Sequence, residues 1–220
     1  EVWQQRLLSH ETRHRDLLLA IGGVRDEGDV SAVPSLLALL HDPLRPAAVR
    51  LAAARAAGRL RNSGLESEAE RLLQPASASI PNRLCAVSLL DQYRSESAQA
   101  IFLRLARDAE PSVTAAALTL LNTIDHQLVL PLAEQAMRNA DANVRRQGVV
   151  AYAAVPTPDR VVFLATLLDD PHLGVRGQVR EALFRLAATV EFEARLRPAA
   201  IEVLTGQSWR GQEQATLLLA

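Results

Sequence analysis

Asp170-Pro171-His172-Leu173-Gly174-Val175-Arg176 decides the fold, because its last two residues recur along the chain at a near-constant interval. Stepping back 31 residues gives Val144-Arg145, and another 31 gives Val113-Thr114. Extended both ways, the column reads Arg15, Arg50, Arg83, Thr114, Arg145, Arg176 and Arg210, at intervals of 35, 33, 31, 31, 31 and 34 residues. Self-similarity at such a period marks a repeat array, in which neighbouring units stack into one continuous core. Residues 1–220 are therefore expected to form a single array, and the lack of an initiator Met suggests a piece of a longer protein.

Composition fixes the class of secondary structure. Hydrophobic residues make up 49% of the chain while aromatics make up only 4%, so the core is built from Ala, Leu and Val. That mixture favours close helix packing over a sheet and predicts an all-α protein. The basic residues are all Arg, 24 in number with no Lys, against 25 acids. Net charge near zero gives no long-range steering of a polyanion, and the absence of Lys removes Schiff-base and P-loop chemistry. The single Cys85 sits in an apolar helical pattern, where it reads as a small buried hydrophobe. No apolar run reaches the roughly 18 residues of a membrane span, so membrane insertion is not expected of this segment.

Each interval divides into a first helix, A, a short turn, and a second helix, B, that carries the column residue in its first turn. Seven pairs are predicted: 2–8 with 12–22, 30–41 with 46–61, 65–74 with 81–93, and 97–107 with 112–122, followed by 128–138 with 142–154, 160–168 with 173–188, and 194–204 with 208–219. Val33, Leu36, Leu37 and Leu40 show the spacing of a buried helical stripe. Gly22-Gly23 is expected to end the first B helix. Pro34, Pro131 and Pro198 are expected near the first turns of A helices, and the loop from Gln74 to Pro81 is the least regular joint.

The B-helix register places the column inside the apolar arc. Residues seven after it are Gly22, Ala57, Leu90, Leu121, Tyr152, Leu183 and Leu217, and those three after it are mostly small or apolar. At 100° per residue these share one face with the column itself. The Arg stems at 15, 50, 83, 145, 176 and 210 are therefore expected to form a structural ladder, with heads reaching turn carbonyls or acids such as Asp108 and Asp170.

An A helix, a turn of Asp-Pro type and a B helix opening on Val-Arg resemble the HEAT repeat family, particularly its short bacterial form named after phycobilin lyase subunits. Asp170-Pro171 through Val175-Arg176 and Asp42-Pro43 before Val49-Arg50 carry the likeness; Thr114 in place of Arg, and Asn82 before Arg83, depart from it. The resemblance implies a right-handed α-α superhelix, a HEAT-type solenoid of about seven helix pairs, with B helices lining a concave face. Members of the family mostly bind other macromolecules, and a few are enzymes.

The recognition surface is read from the arc opposite the column, and Arg55, Arg59, Gln92, Thr123, Gln147, Gln178, Glu181 and Arg185 are the candidate partner-binding residues. The expected function is a non-enzymatic scaffold or adaptor for a protein partner, with no cofactor, metal or catalytic residue. His10-Glu11-Thr12-Arg13-His14 matches the spacing of a zinc hydrolase motif. The repeat register, however, puts His10 and Glu11 in a turn, and Arg13 and Arg15 bring positive charge. HEAT-type deoxyhypusine hydroxylases repeat His-Glu to hold two irons, whereas here the dipeptide occurs once. The alternative is nucleic-acid binding, or base repair of the HEAT-like alkylpurine DNA glycosylase kind, through a basic end formed by Arg45, Arg50, Arg55, Arg59 and Arg61. The aromatics Tyr93, Phe102, Tyr152, Phe163 and Phe184 are expected mostly at packing positions.

Overall fold

The protein is described by a computed structural model over residues 2–8, 13–61, 63–74 and 78–220. Among these residues there are fourteen α-helices, three short 3-10 turns and no strand. The helices are α1 (Val2–Leu8), α2 (His14–Asp26), α3 (Val33–His41), α4 (Ala47–Leu60), α5 (Glu66–Leu72), α6 (Ile80–Leu89) and α7 (Glu96–Leu105). They continue with α8 (Pro111–Ile124), α9 (Leu130–Met137), α10 (Ala142–Ala154), α11 (Pro158–Thr166), α12 (Leu173–Leu186), α13 (Val190–Thr205) and α14 (Trp209–Leu219). Odd-numbered helices are the A members of the seven pairs and even-numbered ones the B members. The chain divides into two compact units, residues 1–120 and 121–220.

Within each unit the helices lie in two layers. In the first, B helices α2, α4 and α6 pack in file, with α3 against α4 and α5 against α6. In the second, α10, α12 and α14 form the B layer, α11 packs on α13, and α9 on α10. The short turns are closed locally. B-helix N-caps stand four residues before the column in several pairs: Asp141 accepts from the Asn143 and Val144 N–H groups, Ser79 from Asn82, and His172 Nδ1 from Gly174. These caps satisfy donors that the first helical turn leaves unpaired.

Burial follows the column register in the inner repeats. Around Arg50 the buried residues are Val49, Ala53, Ala54, Ala56 and Ala57; around Arg176 they are Val175, Val179, Ala182 and Leu183. Small residues let the layers approach closely. A Cβ on Gly58 of α4 would lie 2.0 Å from the Leu89 carbonyl oxygen at the end of α6. One on Gly148 of α10 would meet the Ala133 carbonyl oxygen of α9 at 2.6 Å.

Several expectations need correction. Helix α2 does not stop at Gly22-Gly23 but runs to Asp26. Gly23 instead gives room to Trp3, whose ring would be 2.5 Å from a Cβ there and whose Nε1 donates to Glu27 at 2.8 Å. Pro198 lies inside α13 rather than in its first turn, because the helix begins earlier, at Val190. Pro198 is exposed there, where water can serve the carbonyl left without a donor. The first and last B helices bury a shifted register: Leu17, Ala20, Ile21 and Val24 in α2, and Gly211, Gln214 and Ala215 in α14. Leu17 and Gly211 occupy the place that Arg50 and Arg176 hold in inner repeats. Arg15 is consequently exposed, Arg210 is half-exposed, and Leu217, expected in the core, is 54% exposed. Part of the Gln74 to Pro81 joint, residues 75–77, lies outside the described residues.

Candidate recognition face and its supporting ladder

The Arg column in the inner repeats holds the turns. Arg145 is 8% exposed and lies flat against Asp170, with Nε and Nη2 each 2.7 Å from a carboxylate oxygen. Its Nη1 donates to the Asn139 and Ala140 carbonyls of its own turn, at 2.9 and 2.7 Å. Hydrogen bonding to Asp170 holds the Arg145 guanidinium above its ordinary pKa. Arg145 thus ties the turn six residues upstream to the turn of the next repeat, 25 residues on.

The same offsets recur with different completeness. Arg176 donates to the Asp170 and Pro171 carbonyls, six and five residues upstream, but meets no acid 25 residues on, where Ile201 stands. Its buried Nε has no hydrogen-bond partner. Arg83 forms an ion pair with Asp108, 25 residues on, at 3.3 Å. Thr114 reaches only its own turn, donating to the Asp108 carbonyl at 2.8 Å. Arg50 donates to the Leu40 carbonyl and to Asn82 Oδ1, at 2.8 and 2.6 Å. Arg15 and Arg210 stand outside this set, for the register reason given above.

The opposite arc contains the eight candidate binding residues in differing states. Arg55, Arg59, Gln92, Thr123, Glu181 and Arg185 are exposed. Gln147 and Gln178 are half-buried and already engaged. Gln147 Oε1 accepts from Asn122 Nδ2 at 3.2 Å, while the Gln178 amide accepts from Arg146 Nε at 2.7 Å and donates to its carbonyl at 3.3 Å. These bonds cross-link neighbouring B helices along the face.

In the second unit this face carries two grooves, one on each side of α12. One, of about 380 Å³, is floored by Val149, Ala153 and Ala182 and edged by His126, Gln178 and Arg185. The other, of about 360 Å³, lies between Gly177, Arg180, Glu181, Phe184 and Leu217. Phe184 is 68% exposed, so the expectation that aromatics sit at packing positions fails for it, while Tyr93, Phe102 and Tyr152 are buried. His126, Arg146, Phe184 and Leu217 were not singled out as surface residues. Phe184 follows the column by eight positions, beyond the buried Leu183, and this offset could have identified it.

The basic end of the first unit is less available than its Arg count suggests. Arg45 pairs with Asp42 at 3.3 Å, Arg50 is buried, and Arg61 Nε donates to the Ser63 carbonyl at 3.1 Å. Only Arg55 and Arg59 of that group project from α4 without such a contact. His10, Glu11 and Thr12 of the HExxH match lie outside the described residues, and His14 is exposed at the start of α2. Among the described residues no group of three His, Cys, Asp or Glu side chains is placed to hold a metal ion. Burial pushes the Cys85 thiol up to about 11, which keeps it protonated at neutral pH.

Stacked helix pairs, tied through their turns by B-helix Arg side chains, define an α-helical repeat protein. Residues 98–184, from α7 into α12, match the family model for HEAT repeats. Comparison with curated protein sequences finds no match. Among solved structures, the complex of CpcE and CpcF of phycocyanin lyase from Nostoc sp. PCC7120 contains a similar chain. The identity is 18%, the TM-score 0.57, and the likeness covers 98% of this chain and 92% of that one. A designed armadillo repeat protein is similar at 16% identity and a TM-score of 0.42, covering 99% and 97%. No helix of the described residues is long and apolar enough to cross a membrane.

Proposed function

We propose that the chain is a non-enzymatic HEAT-repeat scaffold that binds a protein partner through its B-helix face. The observation that carries this reading is the α12 surface. Phe184 and Leu217, 68% and 54% exposed, flank one groove, beside the charged and exposed Glu181 and Arg185. An apolar cluster rimmed by charge is the usual composition of a recognition patch. The structurally similar chain comes from a complex of two proteins, CpcE and CpcF, which supports a protein as the partner class. Nucleic-acid binding or base repair through the Arg45 to Arg61 end is the weaker reading. Three of those five guanidinium groups already serve protein acceptors, whereas phosphate tracking needs a continuous run of available cations.

Site-specific photocrosslinking in the producing cells tests the proposal. A benzoylphenylalanine in place of Phe184 or Leu217 is expected to trap one discrete protein, and the same probe at the exposed Gln135 of A helix α9 is not. The charge reversals Arg55→Glu, Arg59→Glu and Arg185→Glu together should weaken capture without changing helicity. Equal crosslinking from position 135, or capture indifferent to the three reversals, refutes the B-helix assignment.

A further inference from the structure

The second groove of the B-helix face, between α10 and α12, is chemically more specific than the first. Its key is the 3-10 turn His126–Leu128 that follows α8. Asn122 is 7% exposed, and its Nδ2 lies 3.0 Å from the backbone carbonyl of Gln147. A carbonyl oxygen can only accept, so the Asn122 amide has one orientation and Oδ1 faces the other way. Oδ1 is 3.1 Å from His126 Nδ1 and carries no proton. His126 Nδ1 must therefore donate, and in the neutral ring Nε2 is left as a hydrogen-bond acceptor. The buried amide sets the tautomer of a half-buried imidazole that edges the groove.

Across the groove, the exposed Arg185 guanidinium forms no hydrogen bond or ion pair with any described residue. Gln178, between the two, is bonded to Arg146 in both directions. The floor is aliphatic, from Val149, Ala153 and Ala182, and no acidic side chain lines the groove. The groove thus offers one cationic donor, one neutral acceptor and an apolar floor, in about 380 Å³. A peptide segment bearing a carboxylate supplies the complement of all three.

We infer that the groove between α10 and α12 receives a partner segment in which an acidic side chain stands beside an aliphatic one. The carboxylate meets the Arg185 guanidinium, a backbone N–H of the segment donates to His126 Nε2, and the aliphatic side chain covers the half-buried Val150 and Ala153. This rests on the B-helix face being the partner-binding face and adds the chemistry of what it binds. Charge-assisted donation to a carboxylate is stronger than donation to a neutral amide, and Arg185, being exposed, contributes at the lower end of that advantage.

The test is methyl and amide NMR on the 220-residue chain, titrated with Ac-Leu-Glu-Leu-NH2, Ac-Leu-Gln-Leu-NH2 and inorganic phosphate. The Glu peptide is expected to shift Val150 and Ala153 methyls and the His126 ring, and to bind about threefold tighter than the Gln peptide, equivalent to about 0.7 kcal/mol. Arg185→Gln should erase that preference while leaving the spectrum otherwise folded. Long-range nitrogen correlations should show the neutral His126 ring protonated at Nδ1, and Asn122→Ala should release that constraint. Equal affinity for the two peptides, no binding by either, or a ring protonated at Nε2 overturns the assignment. Phosphate binding as tightly as the Glu peptide with the same shifts also overturns it, since that marks an anion site without peptide recognition. Peptide failure alongside intact crosslinking from positions 184 and 217 removes this subsite and leaves the scaffold reading standing. Loss of crosslinking with retained Glu preference does the reverse.

Discussion

Replacing Arg145 by Met should be among the most damaging single changes in the second unit. The substitution keeps an unbranched stem of similar course but deletes four hydrogen bonds, two to Asp170 at 2.7 Å and two to the Asn139 and Ala140 carbonyls. What it leaves behind matters more than what it removes. The Asp170 side chain is 2% exposed and would keep only the His172 N–H, at 2.8 Å, as a donor. Stranding a buried charge in this way costs about 3–5 kcal/mol. The two turn carbonyls add little, because Ala140 is exposed and Asn139 half-exposed, so water can replace the donor. A loss near 4 kcal/mol lowers the melting temperature by roughly 10 °C in a chain of this length. Urea unfolding followed by circular dichroism measures it. The double variant Arg145→Met with Asp170→Leu removes both charges together and should recover most of the loss, since a buried pair is often replaceable by apolar residues. A cost for Arg145→Met below about 1 kcal/mol, the range of an exposed pair, would refute the reasoning. So would a double variant no more stable than the single one.

Gly58 and Tyr93 probe the first unit, and Gly177 of the second serves as a comparison. Gly58→Ala places a methyl 2.0 Å from the Leu89 carbonyl oxygen, so α4 and α6 must separate, at a cost of about 1–3 kcal/mol. Gly177→Ala, with nothing within 4 Å of its new Cβ, should be neutral or slightly stabilising in the same denaturant titration. Tyr93 donates its hydroxyl to the Arg61 carbonyl at 2.6 Å, and burial pushes its pKa from 10.0 up to about 12. The neutral form is favoured in the fold, so its contribution is fully present below pH 10 and is lost as pH rises towards about 12. Stability should fall through that window, and Tyr93→Phe should flatten the fall.

Helix pairing and the all-α class were legible because period, turn residues and apolar arc all pointed the same way. The inner column was legible for the same reason: Val49, Val113, Val144 and Val175 fix its phase, and Arg50, Thr114, Arg145 and Arg176 all lie buried behind them. At the two ends the phase was misread, since counting intervals to Arg15 and Arg210 assumed that Arg marked the register. What marks it is burial of the small or apolar residues three, four and seven positions on, which Leu17 satisfies through Ala20, Ile21 and Val24. Side-chain chemistry on the exposed arc was legible only as residue types. Gln147 and Gln178 read as polar residues facing outward, yet Gln147 Oε1 accepts from Asn122 and the Gln178 amide bonds to Arg146 on neighbouring helices. A one-dimensional register cannot show this, because each bond spans 25 or 32 residues and depends on how adjacent B helices are offset.

The same offset explains why the binding chemistry concentrates near α12. A B-helix face on which every polar group is paired to its neighbour is a rigid surface with little left to recognise a partner. Pairing along α10 and α12 engages Gln147 Oε1, the Gln178 amide and Arg146 Nε, and leaves the Arg185 and Glu181 side chains and the Nε2 of His126 without a partner among the described residues, with Phe184 exposed beside Arg185. Arg146→Ala should therefore release Gln178 into the groove and compete with an incoming carboxylate for Arg185. It would weaken capture through a residue that need not touch the partner, so pairing between neighbouring B helices sets specificity by deciding which side chains remain available.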